Sequence, residues 1–575
     1  ELREIEGTTI LIYDQTCAAE KRRRRKRGTF PDPAKRVLIN DLVCEGCGDC
    51  GVKSNCVSVQ PLETELGRKR MIDQSSCNKD FSCVKGFCPS FVTVLGGSLR
   101  KPERQGQTDL FPVLPEPARP SLDEGVYSIL VAGMGGTGVV TIGAILGMAA
   151  HLEGKGCGLL DMAGLAQKGG SVWSHLRFGK SPEAIKTIRI APGGADAVLG
   201  CDMIVAGNSK TLTLTRKGKT RMVVNTAEAM PGDFARNADM RFPSRGLRQN
   251  IIDTVGDEQA DFVDASRIAV ALLGDSIAAN MFMLGYAYQR GLIPLSAEAI
   301  EKAIEVNGAA PKMNQEAFVW GRRTAADPAA VERLLAARQQ PTQSGVSPAP
   351  MQSLEERIAW RRNFLVDYQD ERYARRYETL VEQVRDFEQR RFPGKSALTE
   401  AVARYYFKLL AIKDEYEVAR LHVNSGFLEQ LDKQFEGDYR LVFNLAPPLL
   451  ARHHPETGEP LKREFGAWIV PVFKVLARLK GLRGTAFDIF GRTAERRMER
   501  ALIGEYEQLV ARIMEALPGV TDSAAYETAV KLASIPEHIR GYGHVRAASV
   551  EQARRTQEAL LADLQKRAAD LRKVA

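Results

Sequence analysis

Hydrophobic residues between positions 125 and 325 alternate between short apolar runs and longer amphipathic stretches. The short runs predict strands and the longer stretches predict helices, in the alternation that is typical of a parallel α/β sheet. The predicted strands are Ser128–Ala132, Gly158–Leu160, Ser171–Phe178, Met203–Ala206 and Met222–Asn225. The predicted helices are Val139–His151, Ser276–Arg290, Ser296–Val306 and Pro311–Arg322.

The apolar pattern changes to a period near 3.6 from Ser353 onwards, where Arg, Glu, Leu and Ala dominate. This period predicts an all-α C-terminal domain over 353–575. Within it, Glu371–Arg391 is strongly charged and predicts a long exposed helix, and Val550–Ala575 predicts another amphipathic helix. Segments 100–124 and 326–352 are rich in Pro, Gln and small residues and are predicted to be linkers.

The first hundred residues predict smaller units. Residues 37–99 carry two short strands, Arg36–Ile39 and Phe91–Leu95, and form a separate module. Residues 1–36 contain an apolar run, Thr8–Tyr13, that predicts a buried strand, followed by a basic connector. Because nothing precedes this strand to pair with it, we expect the chain to be the back part of a larger enzyme, in one polypeptide or as a separate subunit.

Composition and charge are those of an ordinary globular protein of three or four domains: 575 residues, 44% hydrophobic, 26% charged, net charge +9. Much of the positive charge lies in the run 21–27, which could bind nucleic acid. We favour a connector that packs against an acidic partner surface, because no nucleic-acid module or interleaved aromatic residue accompanies the run. No nucleic-acid partner is therefore expected.

Residues 129–150 contain no charged residue and are long enough to span a membrane. We reject that interpretation because the four glycines between Gly133 and Gly138 would break a helix. A buried strand, a glycine turn and a buried helix account for the same run. With no signal peptide, we expect a cytoplasmic protein without a membrane partner.

Seven of the ten cysteines lie between Cys44 and Cys88, and their spacing is that of a bacterial ferredoxin. In that motif the last cysteine of each half binds the cluster of the other half. The spacing therefore predicts two clusters. The first [4Fe–4S] cluster would be held by Cys44, Cys47, Cys50 and Cys88, and the second by Cys56, Cys77, Cys83 and Asp80.

Asp80 stands where a fourth cysteine of the second set is expected, and Cys83 and Cys88 are one residue further apart than usual. The second site could therefore be a [4Fe–4S] cluster with a carboxylate ligand, a three-iron cluster, or incomplete. Zinc also uses clustered cysteines, but the CxxCxxC triplet without histidine favours iron–sulfur. A disulfide framework does not suit a long cytosolic chain.

A glycine-rich loop joins the first predicted strand of the α/β domain to its first helix, through Gly133, Gly135, Gly136 and Gly138. This context fits the dinucleotide-binding fingerprint, with Asp161 as the candidate ribose ligand. Lys168 and Gly169 follow in a second loop, where Lys168 could pair with a phosphate or carboxylate. The alternative is that the glycines only allow close packing or face another subunit.

These motifs together resemble the 2-oxoacid:ferredoxin oxidoreductases, with the greatest likeness to the long, fused bacterial indolepyruvate ferredoxin oxidoreductases. The likeness covers most of the chain. It rests on the cysteine module, on residues 133–139, 166–170 and 314–318, which are similar to the family's gamma-type catalytic domain, and on residues 11–18, which are similar to the exit from its thiamine-diphosphate domain.

The resemblance implies a fold and a reaction. The fold is a ferredoxin-like two-cluster module, a Rossmann-like gamma-type α/β domain at 125–325 and a helical tail. The reaction converts an aryl 2-oxoacid and coenzyme A to acyl-CoA and CO2 and reduces ferredoxin. Thiamine diphosphate and Mg²⁺ would lie on a partner half, because this chain lacks the expected Gly-Asp-Gly motif. A dimer of such units is expected.

The sequence does not assign the catalytic residues. The family does not use NAD through its glycine loop, so the resemblance argues against nicotinamide binding at that loop. An iron–sulfur, NAD(P)-dependent electron-transfer subunit is the alternative enzyme.

Overall fold

The structure is a computed structural model that describes residues 2–100, 114–136, 138–164, 170–337, 348, 351, 353–447, 452–453, 455, 460–517 and 523–574. Residues 101–113 of the predicted linker 100–124 lie outside these residues, as do Lys168 and Gly169. No helix among the described residues is long and apolar enough to cross a membrane.

The cysteine module is built on an antiparallel strand pair and a hairpin. Strands β1 (Lys35–Ile39) and β4 (Phe91–Leu99) pair from Lys35 opposite Leu95 to Ile39 opposite Phe91, which confirms the two predicted strands. Strands β2 (Val59–Thr64) and β3 (Gly67–Ile72) form the hairpin. The elements of this part of the chain are α1 (Ala18–Lys26), β1 (Lys35–Ile39), α2 (Asp49–Ser54), β2 (Val59–Thr64), β3 (Gly67–Ile72) and β4 (Phe91–Leu99).

The predicted strand at Thr8–Tyr13 is wrong for this structure. Residues 8–14 form no strand, and the side chains from Ile10 to Tyr13 are 77–83% exposed. Within the described residues no strand pairs with this segment, so its apolar side chains lack the covering layer that a buried strand needs.

The α/β domain contains six strands and eight helices among the described residues. Its strands are β5 (Tyr127–Met134), β6 (Gly156–Ala163), β7 (Ser171–Gly179), β8 (Ala197–Gly200), β9 (Arg221–Asn225) and β10 (Ala260–Val263). Its helices are α3 (Val139–Leu152), α4 (Met203–Ala206), α5 (Ser209–Leu212), α6 (Ser244–Val255), α7 (Ala265–Leu273), α8 (Ala279–Gln289), α9 (Ala297–Asn307) and α10 (Pro311–Ala326). The apolar run at 129–150 therefore forms a strand, a glycine turn and a helix, as predicted.

The six strands lie in the order β10-β9-β8-β5-β7-β6. The predicted parallel α/β sheet is confirmed in part, because β7 runs antiparallel to both β5 and β6. Short connections join β6 to β7, and antiparallel strands need no helical crossover. The remaining pairs, β5–β8, β8–β9 and β9–β10, are parallel.

The predicted strand Met203–Ala206 is a helical turn, α4, and the strand precedes it at Ala197–Gly200. The side chain of Asp202 accepts a hydrogen bond from the Val205 N–H at 2.8 Å and so caps this turn. Both segments are short and fully apolar, and in such runs the hydrophobic pattern does not separate strand from helix. Aspartate is a preferred N-cap residue, so Asp202 was the residue in the sequence that indicated a helix.

The C-terminal region is mainly helical. Its helices are α12 (Leu354–Tyr368), α13 (Glu371–Arg391), α14 (Ala397–Leu410), α15 (Glu415–Val423), α16 (Phe427–Gln434), α17 (Ile469–Arg478), α18 (Ala494–Ala516), α19 (Ser523–Ala533) and α20 (Gly543–Val574). Helix α11 (Pro328–Ala337) occupies part of the predicted linker 326–352, and its Val331 is buried in the core of the α/β domain. Helix α13 has the predicted bounds but buries one face, including Tyr377 and Val384.

The prediction of an all-α C-terminal domain is wrong in one respect. Four strands interrupt the helices: β11 (Phe435–Leu445), β12 (Arg452–His453), β13 (Pro460–Leu461) and β14 (Arg463–Gly466). Strand β11 pairs antiparallel with β4 of the cysteine module, giving a sheet of order β1-β4-β11-β14. This segment forms a strand because it pairs with β4, which lies more than 330 residues earlier in the chain. A local sequence pattern does not reveal a partner at that distance.

Candidate functional site

The loop from Cys44 to Cys50 wraps tightly before helix α2. Gly46 and Gly48 have φ values of 68° and 82°, which glycine adopts without steric cost. The N–H of Gly46 donates a hydrogen bond to the Cys44 Sγ at 3.3 Å. A loop of this shape turns its three cysteines toward a common centre.

The loop from Cys77 to Cys83 repeats this backbone conformation. Lys79 and Phe81 occupy the positions equivalent to Gly46 and Gly48, and both have positive φ values, 53° and 62°. The N–H of Lys79 donates to the Cys77 Sγ at 3.4 Å, and a short 3₁₀ turn follows as α2 follows the first loop.

This correspondence places Asp80 at the position that Cys47 has in the first loop. A positive φ in a bulky residue such as Phe81 is rare and costs energy, so the surrounding structure enforces the repeat.

The first predicted ligand set comes together in the fold. Cys44, Cys47, Cys50 and Cys88 line one cavity together with Phe87, Phe91 and Arg70. Burial raises the pKa of the Cys47 thiol to about 12, and the neighbouring Cys88 raises it further. The pKa of Cys50 is raised for the same main reason.

The second predicted set also forms a group. The groups that act electrostatically on the Cys83 thiol are Cys56, Cys77 and Asp80, and burial raises its pKa to about 12. Asp80 itself is exposed, and its carboxylate accepts a hydrogen bond from the Ser82 hydroxyl at 3.0 Å. The second set thus has three thiols and one carboxylate, and the carboxylate lies on its solvent-exposed side.

Six of the seven thiols, all except that of Cys47, belong to or pack against one small hydrophobic core, which also contains Val37, Ile39, Val59, Ile72 and Phe91. Among the described residues, no three His, Cys, Asp or Glu side chains converge closely enough for a single metal ion.

Three lysines donate hydrogen bonds to the backbone of the first ligand set. Lys69 and Lys413 both reach the carbonyl of Cys44, at 2.9 and 3.1 Å. Lys462 reaches the carbonyls of Gly86 and Cys88, at 2.5 and 3.3 Å. Lys413 and Lys462 belong to the C-terminal region, and sequence reasoning missed them because no local pattern links them to the cysteines.

The basic helix α1 packs against the loop of the second set. The guanidinium of Arg22 donates to the Ser75 carbonyl, and that of Arg25 donates to the Asn78 carbonyl. Arg23 and Arg24 point outward, with 58% and 48% of their side chains exposed. The basic connector is therefore a positively charged helix beside the second group of thiols.

The glycine loop of the α/β domain lies between β5 and α3. Gly133 is part of β5, Gly135 donates its N–H to the Gly170 carbonyl at 2.6 Å, and Gly138 precedes the first residue of α3. Gly136 has a φ of 89°. The loop thus contacts the segment that carries the predicted Lys168 and Gly169, which themselves lie outside the described residues.

The predicted ribose ligand does not have dinucleotide-fold geometry. Asp161 lies on β6, which β7 separates from β5, and its carboxylate accepts a hydrogen bond from the Ser174 hydroxyl. In the dinucleotide fold the strand that carries the acid lies directly beside the first strand. The arrangement favours the alternative in which the glycines only allow close packing or face another subunit.

Comparison with known proteins identifies the α/β domain. Residues 128–324 match the family described as pyruvate ferredoxin/flavodoxin oxidoreductase, and residues 354–559 match a family of unknown function (DUF6537). The α/β domain of this chain is therefore similar to the pyruvate ferredoxin/flavodoxin oxidoreductase family.

Two curated relatives carry a more particular name. The chain is 27% identical over 202 residues to indolepyruvate oxidoreductase subunit IorB of Pyrococcus horikoshii, which covers 35% of this chain and 96% of the relative. It is 26% identical over 202 residues to the subunit of the same name in Thermococcus kodakarensis, with the same coverage.

Two solved structures are similar over the same share of the chain. One is the gamma subunit of a keto/oxoacid ferredoxin oxidoreductase from Geobacter sulfurreducens PCA, with 22% identity and a TM-score of 0.26 over 35% of this chain and 98% of that chain. The other is pyruvate oxidoreductase subunit PORC from Thermotoga maritima, with 22% identity and a TM-score of 0.26 over 35% of this chain and 96% of that chain.

Proposed function

We propose that this chain is the electron-relay and gamma-type portion of an aryl 2-oxoacid:ferredoxin oxidoreductase. The observation that carries the proposal is the repeated loop: two segments, 44–50 and 77–83, share one backbone conformation and gather two groups of ligands. These groups lie in the same chain as a 2-oxoacid:ferredoxin oxidoreductase domain. Indolepyruvate is the named substrate of the curated relatives, and it supports an aryl 2-oxoacid here.

The residues present fit two iron–sulfur clusters. Cys44, Cys47, Cys50 and Cys88 would hold the first, and the second would be held by Cys56, Cys77, Cys83 and Asp80. When bound, such clusters supply one-electron transfer, with potentials set by charge, hydrogen bonds and exposure. The exposed carboxylate makes the second site the more open of the two.

The chain's own residues would set the charge around these sites. A cluster held by thiolates is anionic and becomes more so on reduction, and the ammonium groups of Lys69, Lys413 and Lys462 lie next to the first ligand set. Buried positive charge favours the reduced form. On the outer side, helix α1 supplies positive charge beside the second set, where an acidic electron acceptor could dock.

The α/β domain would border the reacting centre through its glycine loop. The N–H groups around Gly136 and Gly138, at the start of α3, suit an anionic group of coenzyme A or a carboxylate on the partner half. Lys168 and Gly169, in the adjoining loop, remain predicted members of this site. Thiamine diphosphate with Mg²⁺ would supply the decarboxylation chemistry from that partner half.

The complete enzyme would therefore need the thiamine-bearing half, coenzyme A as cosubstrate and ferredoxin as acceptor, with a dimer of such units in the cytoplasm. The exposed apolar segment from Ile10 to Tyr13 supports a covering partner next to the cysteine module.

The test is anaerobic reconstitution of the chain followed by iron, acid-labile sulfide and EPR analysis. Two clusters predict about eight irons, or about seven with a three-iron second site. Cys47→Ala should remove one cluster, and the matched variant Cys157→Ala, in β6 away from both groups, should retain both. Zinc without sulfide would contradict the proposal.

Activity then tests the reaction class. With the thiamine-bearing half, an aryl 2-oxoacid and coenzyme A should reduce a viologen dye in the wild-type and Cys157→Ala proteins and not in Cys47→Ala. Reduction of the dye by NADH or NADPH instead would favour the nicotinamide-dependent alternative.

A further inference from the structure

A cavity of about 70 Å³ lies where the cysteine module meets the C-terminal helices. The β2–β3 hairpin forms one wall, and α12, α14 and the segment around Arg540 form the others. Leu42, Leu66, Phe364 and Phe407 supply apolar surface. The C-terminal side of the cavity falls within the family of unknown function, so no activity is assigned to it.

Each acidic side chain that lines this cavity already has a cationic partner. The pairs are Glu45 with Lys413 at 2.6 Å, Glu65 with Arg361, Glu417 with Arg420 at 2.8 Å and Glu537 with Arg540 at 3.7 Å. These four ion pairs neutralise the carboxylates that line the cavity, so any further lining cation adds net positive charge.

Three lining cations are left over: Lys69, Arg404 and Lys408. Lys69, only 5% exposed, donates to the Cys44 carbonyl, and the partly buried Lys408 donates to the carbonyls of Pro536 and Glu537 at 2.7 and 3.1 Å. Arg404 lies at the exposed side. Within the part of the chain that the structure describes, none of the three forms an ion pair.

Burying cationic groups without a counter-charge is costly. Burial lowers the pKa of Lys408, and the nearby carboxylate of Glu45 offsets this effect only in part. A bound anion would offset this cost. One water needs roughly 10–15 Å³ of such space, so the cavity has room for a small oxyanion.

We propose that this cavity binds a phosphate group, held by Lys69, Arg404 and Lys408. Three cations around one small space suit a multiply charged oxyanion better than a single carboxylate, and arginine can bind its oxygens in a bidentate manner. The site goes beyond the proposed redox function and does not depend on it. The phosphate is either free or part of a small phosphorylated molecule.

Isothermal titration calorimetry on the full chain, prepared anaerobically, tests the site. Inorganic phosphate is titrated at constant ionic strength, with chloride and acetate titrated in parallel. We expect saturable one-to-one binding of phosphate, with at least tenfold weaker binding to Lys408→Met and to Arg404→Gln. Lys474→Met and Arg512→Gln are matched controls because both side chains are exposed elsewhere on the C-terminal helices, and they should bind as the wild type does.

Adenosine 5′-monophosphate as a second probe separates the two sources. If adenosine 5′-monophosphate binds more tightly than inorganic phosphate, the ligand of the cavity is a phosphorylated molecule. If it binds equally or more weakly, the ligand is free phosphate. The proposal is overturned if phosphate binds no better than chloride or acetate, or if both cavity variants bind it like the wild type. Since Arg404 is exposed, Arg404→Gln keeps the test decisive even if Lys408→Met does not fold.

Discussion

The ammonium group of Lys462 lies 3.3 Å from the backbone carbonyl of Cys88, although 374 positions separate the two residues. Lys462 lies between β13 and β14, and its ammonium also lies 4.7 Å from the centre of the Phe91 ring. Burial lowers the pKa of this lysine, while the nearby thiols raise it. A region matched only to a family of unknown function thus supplies charge to a candidate redox centre.

Replacing Lys462 by methionine should lower the reduction potential of the first cluster. The reduced cluster carries more negative charge and loses a neighbouring cation. We expect a fall of about 30–60 mV, or about 0.7–1.4 kcal/mol for a one-electron couple. An EPR-monitored redox titration measures it, and Lys474→Met serves as the exposed control. An unchanged potential in Lys462→Met would show that this lysine has only a packing role.

Replacing Asp80 by cysteine should complete a second set of four thiols. Because Asp80 takes the place that Cys47 has in the first loop, the new thiol lies at the position of a ligand. We expect the variant to keep its full iron content after mild oxidation, whereas the wild type loses about one iron and shows the EPR signal of a three-iron centre.

Asp80→Ala is the control for that experiment, since alanine offers no ligand. It should contain the three-iron centre from the start. If Asp80→Cys and Asp80→Ala behave alike, the carboxylate position is not part of a cluster site.

Reversing the charge of Arg23 and Arg24 should weaken reduction of ferredoxin. Both side chains are exposed on α1, next to the second set of ligands. With Arg23→Glu and Arg24→Glu combined, we expect the KM for an acidic ferredoxin to rise about tenfold at low salt, with a smaller effect at high salt. Reduction of a small viologen dye should be unchanged.

The matched control is the pair Arg497→Glu and Arg512→Glu, on exposed positions of α18. An equal effect of this pair would indicate a general charge effect rather than a docking site on α1.

His422 should make the protein sensitive to acid. Its ring is fully buried, donates from Nε2 to the Pro89 carbonyl at 3.1 Å and stacks on Phe473, and burial lowers its pKa to about 4. Between pH 6.5 and about 4 the unfolded chain binds a proton at this position and the folded chain does not. The free energy of unfolding therefore falls as the pH falls through this window, by up to about 3 kcal/mol.

Urea unfolding at pH 7 and pH 5 measures this effect. His422→Gln retains a donor for Pro89 without a titrating group, so it should lose less stability between the two values. His151→Gln, at an exposed position of α3, should behave as the wild type does. A wild-type-like loss in His422→Gln would assign the acid sensitivity to other groups.

Much of the α/β domain could be predicted from sequence. Helix α3 and strand β9 follow from long or clearly bounded apolar patterns, and each lies within one or two residues of its predicted position. The errors have local causes: the Asp202 cap outweighs an apolar run at Met203–Ala206, and β7 returns antiparallel after a short connection.

The two predicted ligand sets follow from the cysteine spacing in the sequence. Their surroundings were not visible. Lys413 and Lys462 lie hundreds of residues from Cys44 and Cys88, and β11 becomes a strand only because β4 is present to pair with it. Long-range contacts of this kind leave no periodic signal in a single sequence.

Strand β4 has a neighbour on each side, β1 from its own module and β11 from the C-terminal region. The cysteine module is therefore clamped into a shared sheet rather than carried on a swinging arm. Electrons would then travel by tunnelling over fixed distances, and turnover should not slow as the viscosity of the solvent rises. The same clamp makes the module inseparable: cutting the chain after residue 99 would leave a bare strand edge open to aggregation.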